Sequence, residues 1–170
     1  MAEPTTLRDA LIDEVRDLYH AEKQLVKALP RLAKAATSDD LREAIESHLA
    51  ETENQVSRLE QVFELLDEKP RAKMCAGMAG IVEEGSDLLK EGGEDAVLDA
   101  GIIAAAQRAE HYEIAAYGTA AAWADAIGLT DVADLLRETL DEEMAADETL
   151  SALAEDGINA AAHVGTEATR

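Results

Sequence analysis

The stretch EHYEIAAY at residues 110–117 places two glutamates inside a run otherwise rich in alanine and isoleucine, DAGIIAAAQRAEHYEIAAYGTAAAWA. Such a run is suited to burial, and a buried carboxylate needs a compensating charge or must take up a proton. An ideal helix turns about 100° per residue, so with Glu110 at the centre of an inner face, Ile103 and Ala121 lie within roughly 20° and Glu113 about 60° away. Around Glu143, Val132, Leu136, Leu150 and Ala154 fall within about 20°, and Asp147 within about 40°. Glu22 occupies the apolar slot between Leu18 and Leu25. In the remaining segment, Gln55 lies about 20° from His48 and Glu51 about 60° from it.

These residues offer one kind of chemistry. Four buried carboxylates without partners repel one another, and divalent or trivalent cations remove the conflict. Hard oxygen donors suit iron and manganese. Two ions bridged by carboxylates are close enough for a two-electron step with oxygen or peroxide. The expected ligands are Glu22, Glu51, Glu110 and Glu143, with Glu113, His48 and Asp147 beside them. Taken singly, any of these glutamates could instead pair with arginine or extend its stem to water. His48, facing a core, reads first as a hydrogen-bonded structural residue and second as a nitrogen donor. His20, His111 and His163 read as surface residues, and Tyr19, Tyr112 and Tyr117 as packing groups.

Four long helices must position these side chains. Leu11, Val15, Leu18, Glu22, Leu25 and Leu29 are spaced 4, 3, 4, 3, 4, which predicts a first helix over about 6–35, tightened late by Pro30. Ser38 or Asp39 caps a second helix running to about 66. A third long helix covers about 94–126, and a fourth, after Gly128, about 130–155. In the first hairpin Glu22 and Glu51 fall at one height, and in the second Glu110 and Glu143 do. A short helix at about 73–90 lies in the connection, which Pro70 and Gly92–Gly93 bound. Short links make two antiparallel hairpins, and the long connection makes one crossover. The expected fold is all-α, a ferritin-like four-helix bundle. Residues 1–170 are expected to be one domain, with the bundle at about 6–155 and a fraying tail over 156–170.

Composition narrows the partners. The 170 residues carry 37 acidic and 15 basic side chains, a net charge of −22. That surface repels phosphates and anionic membranes, so no nucleic acid and no membrane are expected. No apolar run approaches the roughly 18 residues of a membrane span. The N-terminus shows no secretory leader, which makes the cytoplasm the expected location. Six lysines against nine arginines amid so much acid match proteins of salt-accumulating halophiles, or simply an acidic protein of ordinary surroundings. The lone Cys75 forms no intrachain disulfide.

The segments LYHAEKQLVKALPRLAKAA (18–36), HLAETENQVSRLEQVFELL (48–66), AEHYEIAAYGTA (109–120) and LLRETLDEEMAADETL (135–150) resemble the YciF/YciE family of ferritin-like proteins. The resemblance covers about residues 7–155, with all four segments in order. It implies a ferritin-like bundle, usually a homodimer, associated with stress responses. More distantly, the chain is similar to rubrerythrins and manganese catalases. The usual di-iron pattern has single glutamates on two helices and Glu-x-x-His on the other two. Here the latter read Glu51-x-x-Asn54 and Glu143-x-x-Ala146. Gln55, Asp147 and His48 are the nearest substitutes, so the centre is expected to be rich in carboxylate and poor in nitrogen. Iron oxidation or peroxide removal by two iron or manganese ions is the expected function. A metal-free structural or partner-binding bundle is the alternative, with Met74, Met78, Ile81 and Leu88–Leu89 in the crossover as its contact surface.

Overall fold

The computed structural model describes residues 4–164. Among them are six α-helices and no strand: α1 (Leu7–Ala35), α2 (Asp39–Leu65), α3 (Ala76–Glu91), α4 (Asp95–Ala126), α5 (Thr130–Leu153) and α6 (Asn159–Val164). A π-helical turn, Ala154–Ile158, joins α5 to α6.

Local chemistry fixes most helix ends. α1 opens on a capping box, in which Asp9 N donates to Thr6 Oγ1 at 3.1 Å and Thr6 N donates to the Asp9 carboxylate at 3.0 Å. Ser38 Oγ accepts from Leu41 N at the start of α2. Cys75 caps α3 through its sulfur, which accepts from Met78 N, so that helix begins at Ala76 rather than near residue 73. Gly128, at φ 76°, supplies the left-handed residue that turns the chain from α4 into α5.

α1 lies against α2 and α4, and α5 lies against α2 and α4, so each long helix has two long neighbours. The crossover runs beside α1 and is pinned to it. Arg8 Nη2 donates to Leu66 O at 2.6 Å, Arg16 meets Glu68 at 2.9 Å, and Lys73 meets Asp13 at 2.6 Å. α3 then packs on α1 and α4. Its approach depends on two glycines. A Cβ at Gly77 would stand 2.6 Å from the Tyr112 ring, and one at Gly101 would stand 2.9 Å from Leu88.

The apolar core is split in two. One cluster, with Leu11, Val15, Leu18, Phe63, Tyr117 and Leu136, fills the end of the molecule where α1 and α5 begin. The other, with Leu25, Leu29, Leu41, Ile45, Ile103 and Leu150, fills the opposite end. Along all four long helices the residues between the two clusters are polar and buried: Glu22, His48, Thr52, Gln55, Glu110, Glu113, Thr139 and Glu143.

The chain departs from sequence expectation after α5. The segment expected to fray from residue 156 instead stays helical to Val164, interrupted at Gly157, and lies against α4. The remainder of that tail, 165–170, lies outside the described residues. No described helix is long and apolar enough to cross a membrane.

Candidate metal centre

The polar layer is made by helical registers that continue the apolar stripes. Glu22 follows Leu18 by four residues and precedes Leu25 by three, so α1 carries it inward as it carries leucine. His48 follows Ile45 by three residues on α2, Glu110 and Glu113 follow Ala106 and Ala109 by four on α4, and Glu143 stands seven residues, two turns, from both Leu136 and Leu150 on α5. Glu22, Glu113 and Glu143 have no exposed surface, Glu110 is 1 % exposed and His48 6 %.

Three of these side chains converge most closely. His48, Glu110 and Glu143 each offer one ligand atom, and those atoms all lie within 4.8 Å of one another. His48 Nε2 is 3.3 Å from Glu110 Oε2 and 3.7 Å from Glu143 Oε2, while Nδ1 is 3.5 Å from Glu51 Oε2. These are ion-pair contacts without hydrogen-bond geometry. Both His48 nitrogens lack a hydrogen-bond partner, as do Glu22 Oε2, Glu110 Oε2, Glu143 Oε2, Gln55 Oε1 and both oxygens of Glu113. Buried polar atoms are normally satisfied, so this concentration of free acceptors in one layer marks a place prepared for something else.

Neighbouring groups hold the layer in shape. The Tyr117 hydroxyl donates a short hydrogen bond to Glu22 Oε1. Gln55 Nε2 donates to Glu143 Oε1 at 2.6 Å and to Glu142 Oε2 at 3.0 Å. Arg58 in turn clamps Glu142 with two bonds of 2.8 Å and reaches Thr139 Oγ1 and Glu138. Burial works against ionisation of Glu142, but Arg58 and Gln55 hold its carboxyl below the usual range.

The electrostatics follow from burial and from the closeness of the carboxylates. Burial, together with the charge of Glu110, pushes the Glu22 carboxyl up to about 8, although Tyr117 and His48 oppose the shift. Burial and the charges of Glu22 and Glu110 raise Glu113. Burial and the charge of Glu113 lead the rise of Glu143. Burial alone would lower His48; the Glu110 contact and the charges of Glu110, Glu22 and Glu51 outweigh it and bring the imidazole up to about 9. Burial and mutual repulsion therefore favour the protonated forms of Glu22, Glu113 and Glu143, and the neighbouring carboxylates favour the charged form of His48.

The expected residues divide accordingly. Glu22, His48, Glu110, Glu113 and Glu143 are brought into one layer. Glu51 stands at its edge, 44 % exposed, with its carboxylate on the outer side of His48. Asp147 is not brought to the layer. It accepts from Gln107 Nε2 at 3.0 Å and faces His111 Nε2 at 3.2 Å. Its offset around α5 and its short stem leave it closer to α4's outer side chains than to the core. His48, read first as structural, is central. Tyr117, read as packing, also fixes Glu22. The Gln55–Glu142–Arg58 chain was missed. Its signal was available, since Arg58 lies one turn beyond Gln55 on the same face of α2 and can reach α5.

The donor set fits a metal ion on these grounds: free buried oxygens, one imidazole, and a surplus of acidic groups with, among the described residues, no buried lysine or arginine. A cleft between α2 and α5 leads to it, with Glu51, His48 and Glu110 among its lining.

The relatives agree in architecture. The chain is 43% identical over 155 residues to Protein YciF of Escherichia coli (strain K12), covering 91% of this chain and 93% of that protein. The crystal structure of the E. coli stress protein YciF superposes with a TM-score of 0.88 at 42% identity, over 92% of this chain and 99% of that one. YcfI from Rhodopseudomonas palustris, for which a structural role has been suggested, superposes with a TM-score of 0.85 at 44% identity, over 86% of this chain and 94% of that one. With residues 6–163 matching the family described as Domain of unknown function (DUF892), and with YciF alike in sequence and in all-helical structure, the chain belongs to the DUF892 family of YciF-like proteins.

Proposed function

We propose that the chain is a ferritin-like four-helix bundle whose central layer holds a carboxylate-rich dinuclear iron or manganese centre. It would act in oxidative or osmotic stress protection, by iron oxidation or peroxide handling. The observation that carries this reading is the layer of unpartnered buried acceptors. Glu110, Glu143 and His48 would hold one ion. Glu22 and Glu113 keep three further free oxygens for a second. The ions would supply one electron each to an oxidant. The chain's own part is to orient the ligands through Tyr117, Gln55 and Arg58, to exclude bulk water with the two apolar clusters, and to admit small molecules through the α2–α5 cleft. YciF is described as a stress protein, which supports the physiological setting. A homodimer in the cytoplasm belongs to the same reading.

Metal analysis of protein purified without chelator tests it. Wild type should carry up to about two ions per chain and Glu143→Ala close to none, because loss of a ligand removes both charge and geometry. Ferrous-loaded wild type should also oxidise faster than iron in buffer. The suggested structural role of YcfI favours a second reading, a metal-free scaffold. Wild type that binds neither iron nor manganese would establish it.

A further inference from the structure

Ala44 and Ser47 of α2 face Ala145 and Ala146 of α5 across a seam that these side chains are too small to close. The cleft left there has a volume of about 120 Å³. Ser47, Ala145 and Thr149 form an exposed rim. Leu29, Ile45, Ala106 and Leu150 form buried apolar walls. At the inner end lie His48, 6 % exposed, and Glu110, 1 % exposed. Neither ring nitrogen of His48 has a hydrogen-bond partner, and neither has Glu110 Oε2. The cleft therefore has apolar walls and an unsatisfied polar end.

That pairing selects its occupant. No lysine or arginine lines the cleft, and the carboxylates of Glu51 and Glu110 outnumber the one imidazole of His48, so carboxylates and phosphates are disfavoured. The walls give a hydrated cation no coordination. A water-sized sphere needs about 10–15 Å³, so the space takes a molecule of several heavy atoms. Hydrogen peroxide would leave most of it unused. Each methylene buried against the walls tightens binding about fourfold.

We propose that the cleft is a subsite for neutral, short-chain alkyl oxygen compounds, with an alkyl hydroperoxide as the reacting form. The alkyl group lies against Leu29, Ile45 and Leu150, and the hydroperoxy group points to the inner end, where His48 and Glu110 would hold the ion. The reacting form rests on the metal-centre reading above. Reduction breaks the O–O bond and converts R–O–O–H, two electrons and two protons into R–O–H and water. Two ferrous ions held by the layer would supply one electron each and become ferric, and the protons would enter from solvent at the rim.

Two measurements test it. The first titrates tert-butanol, as product analogue, into metal-free protein and follows the alanine methyl resonances by NMR. Ala44 and Ala146 should shift in wild type. The shifts at the remaining lining alanines should be lost in Ala146→Leu and in Ala44→Leu, which fill the cleft from opposite helices. The second compares oxidation of ferrous-loaded protein by tert-butyl hydroperoxide and by hydrogen peroxide. The ratio of the two rates should fall at least tenfold in either folded variant. No alcohol shift in wild type, or an unchanged ratio in both variants, overturns the subsite. Protein that loads metal but shows no alcohol shift keeps the metal centre and overturns the cleft. Protein that shows the shift but loads no metal keeps the binding site and overturns the metal reading.

Discussion

Glu22 carries the conflict of the central layer most plainly. Its folded carboxyl titrates near 8, because burial outweighs the Tyr117 hydrogen bond. A carboxyl raised on folding stabilises the native state fully below its unfolded pKa, near 4.5, and loses that contribution as pH rises through 8. His48, raised to about 9, acts in the same direction, its contribution present below 6.5 and lost toward 9. Metal-free protein should therefore melt lower at pH 9 than at pH 5.5, by about 5 °C or more. Glu22→Gln should remove much of that slope. Thermal melts of both proteins in chelator, at fixed ionic strength, check this, and a flat wild-type profile would contradict it. Arg58 illustrates the outer support. Arg58→Met releases Glu142 and hence Gln55 from Glu143, and metal affinity should fall about 10–100-fold. Arg58→Lys should restore only part of it, since lysine offers no planar fork. Competitive chelator titration reads both. At this scale the sequence was informative about which glutamates face inward, since helical angle alone places Glu22, Glu110, Glu113 and Glu143. Spacing also faces His48 to the core, but it was less informative about Glu51, which α2 offers near the same height and which stays at the edge of the layer.

At the scale of elements, Asp99 ties the first hairpin to the second. Its carboxylate accepts from Thr37 N at 2.8 Å, from Thr37 Oγ1 at 2.7 Å and from Ser38 N at 2.8 Å. Asp99→Ala strands two amide donors in the α1–α2 turn, and should destabilise the fold by about 2–4 kcal/mol. Chemical denaturation measures that loss. Gly77→Ala should act locally instead. A methyl group there meets the Tyr112 ring, whose hydroxyl lies 3.0 Å from both Cys75 Sγ and Asp17 Oδ2, so α3 must lift from α1 and α4. Faster amide exchange confined to α3 is the expected signature. The four long helices were legible because apolar residues recur at helical spacing and caps stand at their ends. The Asp99 tie was not legible, since its partners are about sixty residues away in the chain. Nor was α6: residues 154–164 have no apolar period and contain Gly157, and α6 is stabilised by lying along α4.

For the whole molecule, charge dominates. A surplus of 22 negative charges repels itself at low ionic strength, and the Debye length shrinks from about 10 Å at 0.1 M salt to about 3 Å at 1 M. Melting temperature should rise with sodium chloride over that range if the composition is an adaptation to salt. Indifference to salt would leave an ordinary acidic protein. The division of the site between the two hairpins has a consequence in time. Glu22 and His48 come from the first hairpin, while Glu110, Glu113 and Glu143 come from the second, beyond the crossover. A chain still emerging from the ribosome holds at most part of the donor set until residue 143 is free to fold. On the proposed metal reading, such an unfinished chain cannot complete the cage around an ion, so reactive metal would be captured only after synthesis has passed the point at which the protein could shield it.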